Sequence, residues 1–262
     1  MAVLVLFLPL AGALLIPFLN RFQRYIGWLA VAIALFCFVG TLTFLPSVSA
    51  GKTFYYAVEW VPSWPELGLE LSLFIDGLSL LFALIVSGIG LLILLYSNFY
   101  LAKGEKLGRF YAYMLFFMGS MLGTVLSSSL ILLFVFWELM SLSSFLLIGF
   151  WDTREECRHA ANQALIITVI GGLAMLAGFV LLYVITGTWE LKEMLDKGGL
   201  VRGSPFYLAT LVLILVGAFS KSAQVPFHIW LPNAMVAPTP VSAFLHAATM
   251  VKAGIFLIAR VF

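Results

Sequence analysis

The stretch "FVFWELMSLSSFLLIGFW", residues 134–151, decides the class of fold. Apolar residues run from about 129 to 150, enough for a helix across a hydrocarbon core about 30 Å thick, which takes roughly 20 residues. Yet its centre carries a carboxylate, Glu138. An ionised side chain at mid-bilayer costs about 2.5–3.5 kcal/mol on insertion scales. Either the segment is not a span, or the carboxylate has a purpose there.

Composition settles the first question. The 262 residues are 63% hydrophobic and 10% charged, with a mean hydropathy of +1.11, whereas an ordinary soluble domain carries about 25% charged residues. The sequence predicts an all-α polytopic membrane protein of about eight transmembrane helices, near 2–19, 25–46, 76–99, 109–127, 129–150, 161–186, 206–230 and 239–261. Arg21 and Arg24 follow the first apolar run rather than precede it, the reverse of a secretory signal, so the first segment is read as an uncleaved span. Cys37 and Cys157 offer neither a disulfide framework nor a metal motif.

Loop charges give an orientation. Arg21, Arg24, Lys103, Lys106, Arg109, Arg154 and Arg158 fall on one side. Lys52, Lys192, Lys197 and Arg202 fall on the other, with Glu59, Glu66, Glu70, Glu190, Glu193 and Asp196. The positive-inside rule puts the N-terminus outside a cell inner membrane. The formal net charge of +2 suggests no nucleic-acid surface. Residues 47–75 read as short strands or a hairpin on the outer interface, with Tyr55, Tyr56, Trp60 and Trp64 at headgroup level. In "TGTWELKEMLDKGGLVRGSP" a short amphipathic helix is expected to end at Gly198 and Gly199.

Two more charges sit inside spans, Lys221 in the seventh and Lys252 in the eighth, and His228 and His246 complete a titratable set. Glu138 could pair with either lysine as a structural lock. Making and breaking such a pair could also move protons, because burial and opposite charge act in opposite directions on each group. Pro226 lacks an N–H and would clash with the carbonyl of Ser222, so the seventh helix should break just after Lys221, as helices do where they line a cavity. On a straight helix His246 and Lys252 would lie about 120° apart and serve separate sites. His159 is placed alone in a loop, no zinc ligand set is visible, and no cofactor is expected. The glycines at 88, 90, 171 and 172 read as helix-packing positions.

Three segments, "FVFWELMSLSSFLLIGFW", "GAFSKSAQVPFHIWLPNAM" and "APTPVSAFLHAATMVKAG", resemble the antiporter-like subunits shared by respiratory complex I, membrane-bound hydrogenases and Mrp-type multisubunit cation/proton antiporters. "DGLSLLFALIVSGIGLLILLYSNFYL" and "LGRFYAYMLFFMGSMLGTVLSSS" extend the likeness over the whole chain. Within the family the chain is most similar to the A-type subunits of the Mrp antiporters, on Lys252 in "TMVKAG", Val236 in "NAMVAPTP" and "YSNFYLAKGEKLGRFY". The resemblance implies leading helices over 1–108, a first five-helix repeat over 109–262 with a broken seventh helix, and protons relayed by Glu138, Lys221 and Lys252, with His228 and His246 as relay or water-organising groups. Family members continue through a second repeat, so a chain ending at "LIARVF" is expected to hold only the first part of the route.

Three functions are open from the sequence. One is a proton-translocating subunit of a cation/proton antiporter, a secondary transporter rather than an enzyme, with protons, Na+ or another monovalent cation, the lipid bilayer and further membrane subunits as partners. The second is a similar subunit in the redox-driven pump of a complex I or hydrogenase. The third is a structural scaffold whose interior charges only lock helices.

Overall fold

The computed structural model describes residues 1–59, 70–101 and 106–261. Among the described residues, seven helical segments are long and apolar enough to cross a membrane, and a shorter apolar helix stands at the seventh predicted position. α1 (Ala2–Leu15) passes through a tight 3-10 segment, Ile16–Phe22, into α2 (Gln23–Leu42). A short helix, Leu45–Ser49, leads to an antiparallel hairpin of β1 (Phe54–Glu59) and β2 (Glu70–Ile75), with Phe54 opposite Ile75. Then follow α3 (Gly77–Tyr100), α4 (Leu107–Leu126), α5 (Leu130–Ile148), α6 (Glu155–Thr186), α7 (Tyr207–Lys221) and α8 (Met250–Val261). The hairpin expected over 47–75 is present, while Trp60, Trp64, Glu66 and Lys103 lie outside the described residues.

α4 is the central helix, buried along nearly its whole length. Small residues let its neighbours approach. A Cβ on Gly123 would lie 2.2 Å from the Phe136 ring, and one on Gly119 would lie 2.7 Å from Leu10. Side chains turned away from the core are large and apolar, including Leu14, Phe18, Phe99, Val184 and Leu208, as a lipid-facing surface requires. Interior hydroxyls return to their own helix: Ser87 to Ala83 O (2.6 Å), Ser120 to Phe116 O (2.8 Å) and Thr168 to Ala164 O (2.8 Å). Such back-bonding satisfies a donor that has no water to turn to.

Two boundaries differ from the sequence expectation. α6 begins at Glu155, not near 161, so Cys157, Arg158 and His159 ride on its first turns instead of a loop, and Cys157 is buried there. Hydropathy misses polar turns, whereas Glu155 and Glu156 in the first turn suit the positive end of a helix dipole. The helix in the second outer loop ends at Asp196, ahead of the glycines, and Gly198 starts another turn, Gly198–Gly203. Lys197 directs the bend, its backbone N–H bonding Glu193 O and Met194 O and its ammonium donating to Thr186 O at 2.8 Å.

One end of the bundle is stitched together by Glu190. Ser72 donates to its Oε1 (2.7 Å), and Ser128 (2.8 Å) and Tyr55 (3.4 Å) donate to its Oε2. Backbone bonds Ser128 N–H to Ser72 O and Leu191 N–H to Ser128 O, each 2.9 Å, join the hairpin, the α4–α5 turn and the segment after α6. At the same end Arg260, near the end of α8, grips the α3 N-cap Asp76 with both guanidinium nitrogens, at 2.7 and 3.0 Å. Phe74 and Phe256 flank its cation. Asp76 meanwhile accepts from the Ser79 N–H at 2.9 Å. Removing one partner of a buried ion pair costs roughly 3–5 kcal/mol, and the partial exposure of Asp76 (24%) places this pair at the low end. Arg260→Met should therefore lower the thermal unfolding midpoint of the purified protein by several degrees, whereas Arg260→Lys should recover part of it. An unchanged midpoint in Arg260→Met would show the clamp to be idle.

Candidate functional site

α7 is 15 residues long and so covers about 22 Å at 1.5 Å per residue, short of a core about 30 Å thick. It stops at Lys221, inside the membrane, where the sequence places Pro226 five positions on. Past the break Ala223 takes a left-handed backbone, φ 51°, unusual for a residue with a Cβ. The chain then runs through short turns, Phe227–Ile229, Trp230–Asn233 and Ala234–Val236. Freed polar groups find new partners. The indole N–H of buried Trp230 donates to Ser220 O (2.9 Å), Gln224 N–H to Phe219 O (2.9 Å) and Ser222 Oγ to Val251 O of α8 (2.7 Å).

Lys221 is fully buried. Its ammonium donates to the Trp137 carbonyl of α5 (3.2 Å) and to Ser141 Oγ one turn further on, and lies 5.3 Å from the centre of the Trp137 ring. Ser141 Oγ is itself 3.2 Å from Trp137 O. Ion pairs within 4 Å, among the described residues, are Arg109–Asp152 and Arg260–Asp76, both at bundle ends. Lys221 therefore rests on uncharged oxygens.

Glu138 stands on α5 between those two partners in sequence, close enough for its charge to act on Lys221. Its Oε1 is buried and has no hydrogen-bond partner among the described residues. Two glycines of α6 make the space. A Cβ on Gly172 would fall 1.9 Å from Glu138 Oε1, and one on Gly171 would fall 1.9 Å from Ser220 Oγ, beside Lys221. The glycines expected to pack helices do so here against the site itself.

The remaining candidates are spread out. The eighth span is interrupted. After Thr239–Ser242 the chain forms a wide π turn, Ala243–Ala248, breaks at Thr249 (φ −131°, ψ −78°) and resumes as α8. The Thr249 hydroxyl bonds Phe244 O at 2.5 Å, five residues back. The straight helix assumed between His246 and Lys252 does not exist, so the 120° offset is not the relevant angle. Among the described residues both ring nitrogens of His246 are buried without a partner, and its ring lies 5.9 Å from that of Trp230. Lys252 and His228 are exposed on the surface of this chain. Among the described residues no group of three His, Cys, Asp or Glu could hold a metal.

The helix break, the buried lysine and the carboxylate on α5 all lie within the segment that a family comparison matches. The family profile described as NADH:quinone oxidoreductase/Mrp antiporter, TM, matches residues 127–262, more than half of the chain. The chain belongs to the NADH:quinone oxidoreductase/Mrp antiporter family. A second profile, for the N-terminus of chain 5 of NADH-ubiquinone oxidoreductase (complex I), matches 60–111. Over 255 residues the chain is 53% identical to the A-type subunit of the Na(+)/H(+) antiporter of Alkalihalophilus pseudofirmus, covering 96% of this chain and 31% of that protein. It is 49% identical to the A1-type subunit of the Na(+)/H(+) antiporter of Staphylococcus aureus, covering 97% and 32%. It thus spans about a third of the length of these curated relatives. In the structure of the Mrp complex from Dietzia sp. DQ12-45-1b one chain superposes with a TM-score of 0.87 at 40% identity, over 98% of this chain and 27% of that one. A chain of the membrane-bound sulfane sulfur reductase, an archaeal respiratory membrane complex, shares the fold alone, at TM-score 0.82 and 22% identity over 99% and 40%.

Ser141, the Trp137 carbonyl and Trp230 escape the sequence reading. Ser141 lies three positions after Glu138 and four after Trp137, hence on the same side of α5, a signal that spacing alone would have given. Trp230 becomes a partner only because the chain turns back beyond the break. Because Glu138 Oε1 is the end of a flexible side chain, Gly172→Ala should push the carboxylate aside rather than separate α5 from α6. The variant should assemble with a normal unfolding midpoint while carbodiimide labelling of Glu138 rises. Loss of assembly with unaltered labelling would mean that the glycine serves helix packing only.

Proposed function

We propose that this chain forms a proton-translocating part of a multisubunit cation/proton antiporter, a secondary transporter subunit rather than an enzyme. Residues 1–108 act as leading helices and 109–262 as a first repeat that carries the proton site. The observation that supports this most is the setting of Lys221: buried, at the end of a broken helix, on neutral oxygens, with an unpartnered carboxylate oxygen nearby.

Such a setting holds the amine in either protonation state. A hydroxyl both donates and accepts. With Lys221 charged, Ser141 Oγ accepts from it and turns its own hydrogen to Trp137 O. With Lys221 neutral, the same hydroxyl rotates and donates to the amine's lone pair. A tight ion pair with Glu138 would instead fix one state, since separating buried charges is costly. Glu138, free of such a bond, exchanges influence with Lys221 through charge alone. His246, whose ring nitrogens are buried with no partner among the described residues, serves as relay beyond the break, with His228 exposed on the turns. Lys252 completes the path. A charged amine on a membrane-spanning helix is stable only against protein or water, so its exposed face is taken to meet further protein.

The scaffold reading fares worse on the same geometry, because the charges that lock helices are Arg260–Asp76 and Arg109–Asp152 at the ends. The cation is Na+ or another monovalent ion handled with further subunits, the membrane is a cell inner membrane, and the N-terminus lies outside, from the excess of Lys and Arg at the Arg109 end.

In the complete complex, reconstituted in vesicles, Glu138→Gln and Lys221→Met should each reduce cation-dependent proton flux at least tenfold while subunit composition stays intact. Normal flux in either variant would refute the assignment. Ser141→Ala should slow flux several-fold and Ser141→Thr, which keeps the hydroxyl, should restore most of it. Equal flux in the two would remove the hydroxyl from the mechanism.

A further inference from the structure

At the end of the bundle away from the hairpin, a cavity of about 290 Å³ opens between α4, α5 and α6. Its lining mixes charged and polar groups, Arg109, Asp152, Arg158 and Asn162, with the larger apolar surfaces of Tyr113, Phe145 and Leu146. Arg109 is fixed: it donates to Asp152 Oδ2 (2.7 Å) and Phe150 O (2.5 Å), and its cation lies against the Tyr113 and Phe150 rings. Its Nε is also buried and has no partner among the described residues. Arg158 donates to Asp152 O at 3.1 Å through Nη1 and is otherwise exposed.

Charge at this place is unbalanced. The hydrogen bond and charge of Arg109 hold the Asp152 carboxyl below the usual carboxylate range, and the charge of Lys106 adds to this. Asp152 is thus ionised, and among the described residues Lys106, Arg109, Arg154 and Arg158 face Asp152, Glu155 and Glu156, which leaves an excess of one positive charge. The remaining positive charge sits where α4 begins, α5 has just ended and α6 begins, the level at which spans leave the hydrocarbon. A soluble anion would not call for the apolar wall that descends from it along Phe145 and Leu146 of α5 and Tyr113 of α4. An anion with attached acyl chains would use both.

We propose that this cavity binds a membrane phospholipid, its phosphate between Arg109 and Arg158 and one acyl chain along Tyr113, Phe145 and Leu146. The volume, at the lower end of the roughly 300–1,000 Å³ typical of ligand pockets, accommodates a headgroup and the start of a chain, the rest lying in the surrounding bilayer. Glu138 is ten positions from the end of α5, or about 15 Å, so the lipid site stands apart from the proton reading and does not depend on it.

The complete complex, purified in detergent, tests this directly. Native mass spectrometry should show a retained phospholipid on the wild type, and phosphatidylglycerol should raise the unfolding midpoint. Arg158→Gln should weaken retention about tenfold, the factor that goes with the loss of one charge-assisted contact, and Arg158→Lys should stay close to wild type. Equal retention in wild type and Arg158→Gln would overturn the proposal. So would stabilisation by inorganic phosphate equal to that by the lipid, which would mark a site for soluble anions. Should Arg158→Gln fail to assemble, a photoactivatable phosphatidylglycerol on the wild-type complex should label peptides containing Tyr113, Phe145 or Leu146. Labelling confined to other helices would be decisive against it.

Discussion

A helix that stops inside a membrane leaves its last carbonyls without partners, and the structure around Lys221 follows from that constraint. The break requires nearby donors, and the chain supplies them by turning back. Trp230 reaches Ser220 O, and the Gln224 N–H reaches Phe219 O. α7 packs against both α6 and α8. Lys221, the last residue of α7, then points at α5, where a backbone carbonyl and a serine hydroxyl receive it. The site is thus a by-product of repairing the break.

Charges in this protein fall into two kinds. At the ends of the bundle they are paired at close range, bidentate for Arg260 and Asp76 and flanked by aromatic rings. In the middle, Lys221 is held by the Trp137 carbonyl and Ser141 Oγ rather than by a close carboxylate. The difference matters energetically, because a buried pair resists separation whereas single charges held by neutral dipoles can change state without rupturing a bond between them. Among the described residues, close-range ion pairing is confined to the ends of the bundle.

Much of this was legible in the sequence. Apolar run length located the spans, and Pro226 located the break, because both rest on local chemistry that needs no tertiary knowledge. Glu138 and Lys221 stood out by cost alone. What escaped depends on contacts between distant segments. Glu190 read as an ordinary loop acid, yet it collects Ser72 and Ser128 from two other connections. Arg260 read as the tail of an apolar run. The interruption at Thr249 escaped because no proline or glycine marks it, only a threonine whose hydroxyl bonds five residues back. Cys157 and His159 were placed in a loop because hydropathy cannot distinguish a polar loop from the projecting turn of a long helix.

The Arg260–Asp76 clamp joins residues 184 positions apart. On a growing chain threaded into the bilayer from its N-terminus, Asp76 arrives five helices before its partner. Until then it caps α3 with Ser79 alone and stays at the hydrated surface. Arg260 reaches it only after the broken seventh helix and the interrupted eighth have both been inserted. Closure of the clamp therefore follows the laying down of both irregular spans, and one guanidinium then ties the end of α8 to the start of α3.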